Sequence, residues 1–281
     1  MELFRDYLQE TLDATGHMVD YELTCPGDFN FAYDVVDRRA MYWCNVAGES
    51  RTFSFKDIQD GSDRVASYLQ AQGVRRGDKV LVILKRHWQY WPTIVGLHKL
   101  GAIAVPATHQ LKPDDVSYRL EAASIRAVIA TAEDGTPANV DAGAAAYDGE
   151  LLRFLVHGSA EGWEDYDAGV QAAAPFNAPV GSDRSGGEDT MFLYFTSGTT
   201  ANPKMVAHDF TYPIAHIPTA YYWQHIDPDG LHLTVSDSGW AKSSWGKLCG
   251  QWLLGAGVYV YDFDRFVPAD LLERLQNDGI T

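Results

Sequence analysis

The chain is poor in cysteine, in positive charge and in long apolar runs, and each shortage removes a class of protein. Its three cysteines, Cys25, Cys44 and Cys249, form no CxxC pair and are odd in number, which argues against a disulfide framework or a thiolate metal site. A reducing, cytoplasmic setting is the expectation. Lysine and arginine number 22 against 38 acidic residues, a net charge of −16 that repels nucleic acid and anionic membranes. Arg75-Arg76 and Lys85-Arg86-His87 are the short basic runs, and both read as solvated turn residues. No stretch reaches the roughly 18 apolar residues of a membrane-spanning helix, so no span is expected. The opening MELFRDYLQETLDATG mixes charge with apolar residues at helical spacing, unlike a signal peptide. The nine histidines are scattered without HExxH and read individually as surface or packing residues.

What remains is an α/β rhythm. With 281 residues and 46% hydrophobic content the chain can bury a substantial core. Leu3 to Thr15 and Phe29 to Met41 read as helices, and Tyr42 to Phe55 as a hairpin turning at Ala47-Gly48-Glu49-Ser50. Ser54-x-x-Asp57 is a capping-box start for a helix with Ile58, Val65, Ala66 and Leu69 on one face. Strands are predicted at 79–84, 102–105, 127–131, 191–196, 231–235 and 257–261, and helices at 87–100, 113–122, 212–223, 242–254 and 268–277. Residues 132–149 carry few large apolar groups and read as an exposed excursion. The pattern predicts layered, mostly parallel sheets flanked by helices. A Pro- and Gly-rich stretch from Ala174 to Asp189 suggests two lobes, 1–185 and 186–281.

The chemistry concentrates in Tyr194 to Lys204, YFTSGTTANPK. It lies between the runs MFLYF and MVAH, which both read as candidate buried strands. Gly198 lets an anion approach the backbone amides closely, and Thr196, Ser197, Thr199 and Thr200 add hydroxyl donors. Pro203 stiffens the exit and Lys204 adds one positive charge. Phosphate is the anion this combination suits. GxxxxGK[ST] is absent, against a P-loop kinase, and GxSxG is absent, against a serine hydrolase using Ser197.

This segment resembles the phosphate-binding signature YTSGTTGxPK of the adenylate-forming superfamily, with Ala201 where the pattern has glycine. LHKLGAIAVP at 97–106 resembles the family's helix-to-strand passage, with Gly101 suited to the helix cap. SDSGWAKSSW at 236–245 resembles the D-x-G-W segment of medium-chain and related acyl-CoA synthetases. The resemblance runs from about Phe29 to Thr281 and implies part of the N-terminal domain of an adenylate-forming ligase. It implies ATP, Mg²⁺ and CoA as small-molecule partners and a carboxylic acid, fatty or aromatic, as substrate. It assigns Thr196, Ser197, Gly198, Thr199, Thr200 and Lys204 to the nucleotide phosphates, and Thr200 to Mg²⁺. Asp237, Gly239, Trp240 and Trp245 become candidates for the substrate wall, although tryptophans in this setting also read as core. The family's Y-G-x-T-E segment, ribose-binding aspartate and late catalytic lysine are not among these residues, so no catalytic residue is assigned and the 281 residues alone are expected to be inactive. A peptide-synthetase adenylation domain and a non-catalytic nucleotide-binding or scaffolding remnant stay open as alternatives.

Overall fold

The computed structural model describes residues 3–34, 39–196 and 202–281. The chain begins with a 3₁₀ turn, Leu3–Asp6, followed by the antiparallel hairpin β1 (Leu8–Leu12) and β2 (Met18–Leu23). The helix expected over 3–15 is therefore wrong. The Asp13 carboxylate accepts hydrogen bonds from the backbone N–H groups of Thr15 and His17, at 2.8 and 3.0 Å. That Asx turn reverses the chain where helical periodicity would have carried it on.

The helix expected over Phe29–Met41 is also absent from the described part of that segment. Asn30 is wholly buried, donates to the Ser185 carbonyl at 2.8 Å and accepts from the Ala32 N–H at 3.0 Å, which makes a turn anchored by Phe29 and Phe31. The strand β3 (Arg39–Asn45) follows, pairing with β4 (Ser50–Ser54) as the expected hairpin. Next comes α1 (Phe55–Ala71). Its capping box is formed as read: Ser54 Oγ accepts from the Asp57 N–H at 3.1 Å, and Asp57 accepts from the Ser54 N–H at 2.8 Å.

β5 (Lys79–Ile83), α2 (Tyr90–Leu100) and β6 (Ile103–Pro106) build the first parallel crossover. Every residue of α2 is buried, and the helix ends at Gly101, whose φ of 77° is the left-handed conformation a glycine cap accepts without strain. A second crossover carries α3 (Pro113–Ala123), with proline in its first turn, into β7 (Ile125–Thr131). Residues 132–149 are not an exposed excursion, because they contain α4 (Thr136–Ala144) with Val140, Gly143 and Ala144 buried. Its alanines favour helix, and its small residues let it lie close on its neighbours. β8 (Leu152–Val156), the short β9 (Glu164–Asp165) and α5 (Tyr166–Ala172) complete this region.

The hairpin β10 (Thr190–Thr196) and β11 (Lys204–Asp209) flanks the phosphate-loop motif. Then come α6 (Tyr212–Ala215), a π turn at Thr219–Trp223, and β12 (Leu231–Leu233). The expected helix at 242–254 is two helices, α7 (Ala241–Lys247) and α8 (Cys249–Leu254), broken at Leu248. β13 (Gly257–Asp262) and α9 (Pro268–Asn277) end the described chain.

One sheet has seven strands in the order β11-β10-β6-β5-β7-β8-β9, parallel except for β10–β11, and a second has four in the order β12-β13-β3-β4. Strands from before and after residue 185 share both sheets. The main core lies between them around α1, α2 and α8, and a second core fills the opposite face of the larger sheet beneath α3 and α4. Indole hydrogen bonds tie the layers together: Trp43 to the Arg86 carbonyl at 3.0 Å, and Trp91 to the Lys247 carbonyl at 3.1 Å. Lys85 and His87, expected in a solvated turn, are each only 3% exposed. They follow β5 into the junction of the two sheets, where β13 and its extension cover them. Among the described residues no helix is long and apolar enough to cross a membrane.

Candidate nucleotide and substrate site

Ser197, Gly198, Thr199 and Thr200 lie outside the described residues, so the site is built from its two ends. Thr196 closes β10 and pairs across the hairpin with Lys204, the first residue of β11; the Thr196 hydroxyl donates to the Lys204 carbonyl at 3.4 Å. The loop thus joins two antiparallel strands. β10 is buried over most of its length, whereas β11 is an edge strand with Lys204 to Ala207 exposed. The expectation of a second buried strand fails because nothing among the described residues covers this edge. The loop exit is anchored from α3, where the Tyr118 hydroxyl donates to the Pro203 carbonyl at 2.9 Å.

The second candidate segment is held against the carboxyl ends of β5 and β6. Asp237 accepts from Arg86 Nη1 at 3.2 Å and from the Gly239 N–H at 3.1 Å. Ser238, nearly fully buried, donates to the carbonyls of Leu84 and Lys85. A Cβ at Gly239 would lie 2.3 Å from the Thr108 amide nitrogen and from the Ala107 carbonyl carbon, so only glycine allows this approach. Asp237 and Gly239 therefore act first in shaping the segment, and Trp240 projects outward at 62% exposure.

Trp245 is placed differently. It stacks on His216 with ring centroids 5.9 Å apart and neighbours Trp223 at 6.1 Å. The aromatic run continues through Tyr212 at 4.5 Å from His216 and His208 at 4.3 Å from Tyr212, back to Tyr194 of β10. The Tyr194 hydroxyl donates to Ser244 of α7. Hairpin and α7 are so joined by a continuous aromatic wall, and burial followed by its neighbour His208 pushes His216 down to about 4, keeping that wall uncharged. Sequence reading missed His208, Tyr212 and His216, since isolated histidines in a loosely helical stretch carry no spacing signal.

Lys247 was missed as well. It is 2% exposed, its Nζ donates to the Ser236 carbonyl at 2.5 Å, and burial together with the nearby Arg86 pushes its pKa down to about 7. That hydrogen bond tethers the residue preceding Asp237 to α7.

A family model described as "AMP-binding enzyme" matches residues 30–281. The acyl-coenzyme A synthetase ACSM3, mitochondrial, of Homo sapiens is 31% identical over 278 residues, covering 93% of this chain and 47% of the relative. The ACSM4 synthetase of Rattus norvegicus, also mitochondrial by name, is 31% identical over 287 residues, covering 96% and 49%. Among solved structures, the Brucella canis acyl-CoA synthetase superposes with a TM-score of 0.78 at 25% identity, covering 92% of this chain and 48% of that one. The anthranilate CoA ligase AuaEII shares the fold, with a TM-score of 0.78 at 20% identity over 89% of this chain. The chain spans about half the length of the curated relatives it matches. A motif of hydroxyls, glycine and lysine between paired strands, a D-x-G-W segment seated on the parallel sheet and a match over residues 30–281 make this chain a member of the AMP-binding enzyme family.

Proposed function

We propose that this chain forms the front part of an ATP-dependent, AMP-forming acyl-CoA synthetase acting on a fatty or aromatic carboxylic acid. The observation that carries the reading is the hairpin: YFTSGTTANPK joins β10 to an exposed edge strand, with Thr196 and Lys204 paired at its base. In this reading the loop holds the β- and γ-phosphates of ATP. The hydroxyls of Thr196, Ser197, Thr199 and Thr200 donate to phosphate oxygens, and Lys204 offsets their charge. Mg²⁺, with Thr200 as its proposed ligand, would neutralise further phosphate charge. A carboxylate oxygen of the acid then attacks the α-phosphorus while the bond to pyrophosphate breaks. The resulting acyl-adenylate is opened by the CoA thiol, whose sulfur bonds to the acyl carbon as AMP departs. Displacement at phosphorus depends on alignment and charge neutralisation, so no protein nucleophile is required.

Asp237 and Gly239 fix the segment that would wall the acid site, and Trp245 with His216 offers the acid an uncharged aromatic surface. The three cysteines are free, in keeping with action in a reducing, cytoplasmic compartment. Calorimetric titration with Mg-ATP tests the proposal. Residues 1–281 should bind in the millimolar range, and Lys204→Ala should weaken that binding severalfold. Unchanged heats in Lys204→Ala would remove the lysine from the site, and no heat with the parent chain would leave it a scaffold.

A further inference from the structure

Three parallel strands of the larger sheet and β13 of the smaller one end close together, and each delivers a polar side chain there. His87 follows β5, Glu133 follows β7, His157 follows β8, and Asp262 is the last residue of β13. Carboxyl ends of parallel strands are where open α/β sheets take ligands. A cavity of about 460 Å³ opens here, lined in part by His87, Glu133, His157 and Asp262. One ligand atom from each of His87, Glu133 and His157 falls within 4.8 Å of the others.

The surroundings orient these groups as metal ligands are oriented. Asp262, nearly buried, lies 2.9 Å from His87 Nδ1. A carboxylate there accepts the hydrogen bond from Nδ1–H and leaves the lone pair on Nε2, the carboxylate–histidine arrangement found behind metal-bound imidazoles. His87 Nε2 faces Glu133 Oε1 at 3.9 Å and accepts from the Thr131 hydroxyl at 2.9 Å, a hydrogen bond that metal ligation would replace. The other Glu133 oxygen, Oε2, is fixed by Lys85 Nζ at 2.7 Å. The Lys85 charge is itself answered by Asp264 and by Asp134 at 3.3 Å, so acidic groups outnumber it around the cavity. The His157 ring lies 4.5 Å from that of His87, centroid to centroid. The Gln89 amide nitrogen lies 2.6 Å from its Nε2 and donates to Asp167 at 2.9 Å, so ligation through Nε2 exchanges the Gln89 hydrogen bond for the metal. His157 has a φ of 63°, a left-handed backbone that disfavours any residue with a Cβ and persists where the surroundings over-determine it.

We propose that His87, Glu133 and His157 form a binding site for a divalent transition metal, Zn²⁺ being the representative ion, with its open position facing the cavity. Two imidazoles and one carboxylate suit such an ion and not Mg²⁺, which prefers oxygen ligands. These three ligands include no residue of the phosphate-loop motif, so the proposal is independent of the Mg²⁺ role proposed for Thr200.

The test uses Co²⁺ as an optical probe on the 281-residue chain, in which Cys25 is replaced by serine to remove the one cysteine that is not buried. One equivalent of Co²⁺ should bind with visible absorption bands, Zn²⁺ should displace it, and excess Mg²⁺ should not. Glu133→Gln and His157→Ala, both at exposed positions, should each weaken binding at least tenfold without loss of the folded circular dichroism spectrum. Asp262→Asn, acting through His87, should weaken it by about 10- to 100-fold. Failure of the parent to take up Co²⁺ at millimolar concentration, displacement by Mg²⁺, or uptake unchanged in both Glu133→Gln and His157→Ala would overturn the proposal.

Discussion

Lys247 shows how one buried charge can set a pH response. Its ammonium has no carboxylate within ion-pair reach among the described residues and donates to the Ser236 carbonyl, and its pKa falls to about 7. Unfolding returns it to the ordinary lysine value, so between these pKa values the unfolded chain binds more protons and stability rises with pH. Below the folded pKa the full penalty of the buried charge applies. Lys247→Met should therefore flatten the stability profile between about pH 7 and about pH 9, as read from urea midpoints; an unchanged slope would show that Lys247 stays charged. Gly239 is the opposite kind of residue, defined by what it lacks. Gly239→Ala would drive a methyl into the backbone of Ala107 and Thr108, and should cost about 1–3 kcal/mol in chemical denaturation.

α1 illustrates how much a helix owes to its ends and to one face. Hydrogen bonds from Ser54 lower the Asp57 pKa, and the buried stripe Ile58, Val65, Ala66 and Leu69 docks against α2. Ser54→Ala should cost about 1 kcal/mol of stability, measured by thermal or urea unfolding, and Ser54→Thr should retain most of it. These signals are local in the chain, which is why α1, α3 and the cap at Gly101 are legible in the sequence. The first hairpin was not, because Leu8 and Leu12 stand at a spacing that suits a helix as well as a strand, and the Asp13 turn decides between them. α4 was hidden for the converse reason. Its buried face is made of valine, glycine and alanine, so it packs without the large apolar residues by which a core-facing helix is recognised.

Across the molecule, charge and edge exposure set the behaviour. With a net charge of −16 the folded chain repels itself, and added salt screens that repulsion. The melting temperature should rise between about 0.01 and 0.15 M NaCl, as scanned by calorimetry; a fall would mean that ion pairs such as Lys85 with Glu133 and Asp264 dominate instead. The two candidate site segments, YFTSGTTANPK and SDSGWAKSSW, stand out in the sequence because their distinguishing residues are consecutive. Pro203 and Asp237 take the restrained positions their residue types suggest, while Trp240 turns out to solvent and Trp245 inward. No pattern in SDSGWAKSSW distinguishes the two tryptophans, since their environments are supplied by His216 and Trp223 from other elements.

Contiguous residues were enough to specify the parallel α/β build and the helix caps, because periodicity and capping act over a few positions. The gathering of His87, Glu133, His157 and Asp262 required the folded sheets. Those residues are far apart in the chain, and they meet because parallel pairing aligns the carboxyl ends of β5, β7 and β8 and packs β13 of the second sheet beside them.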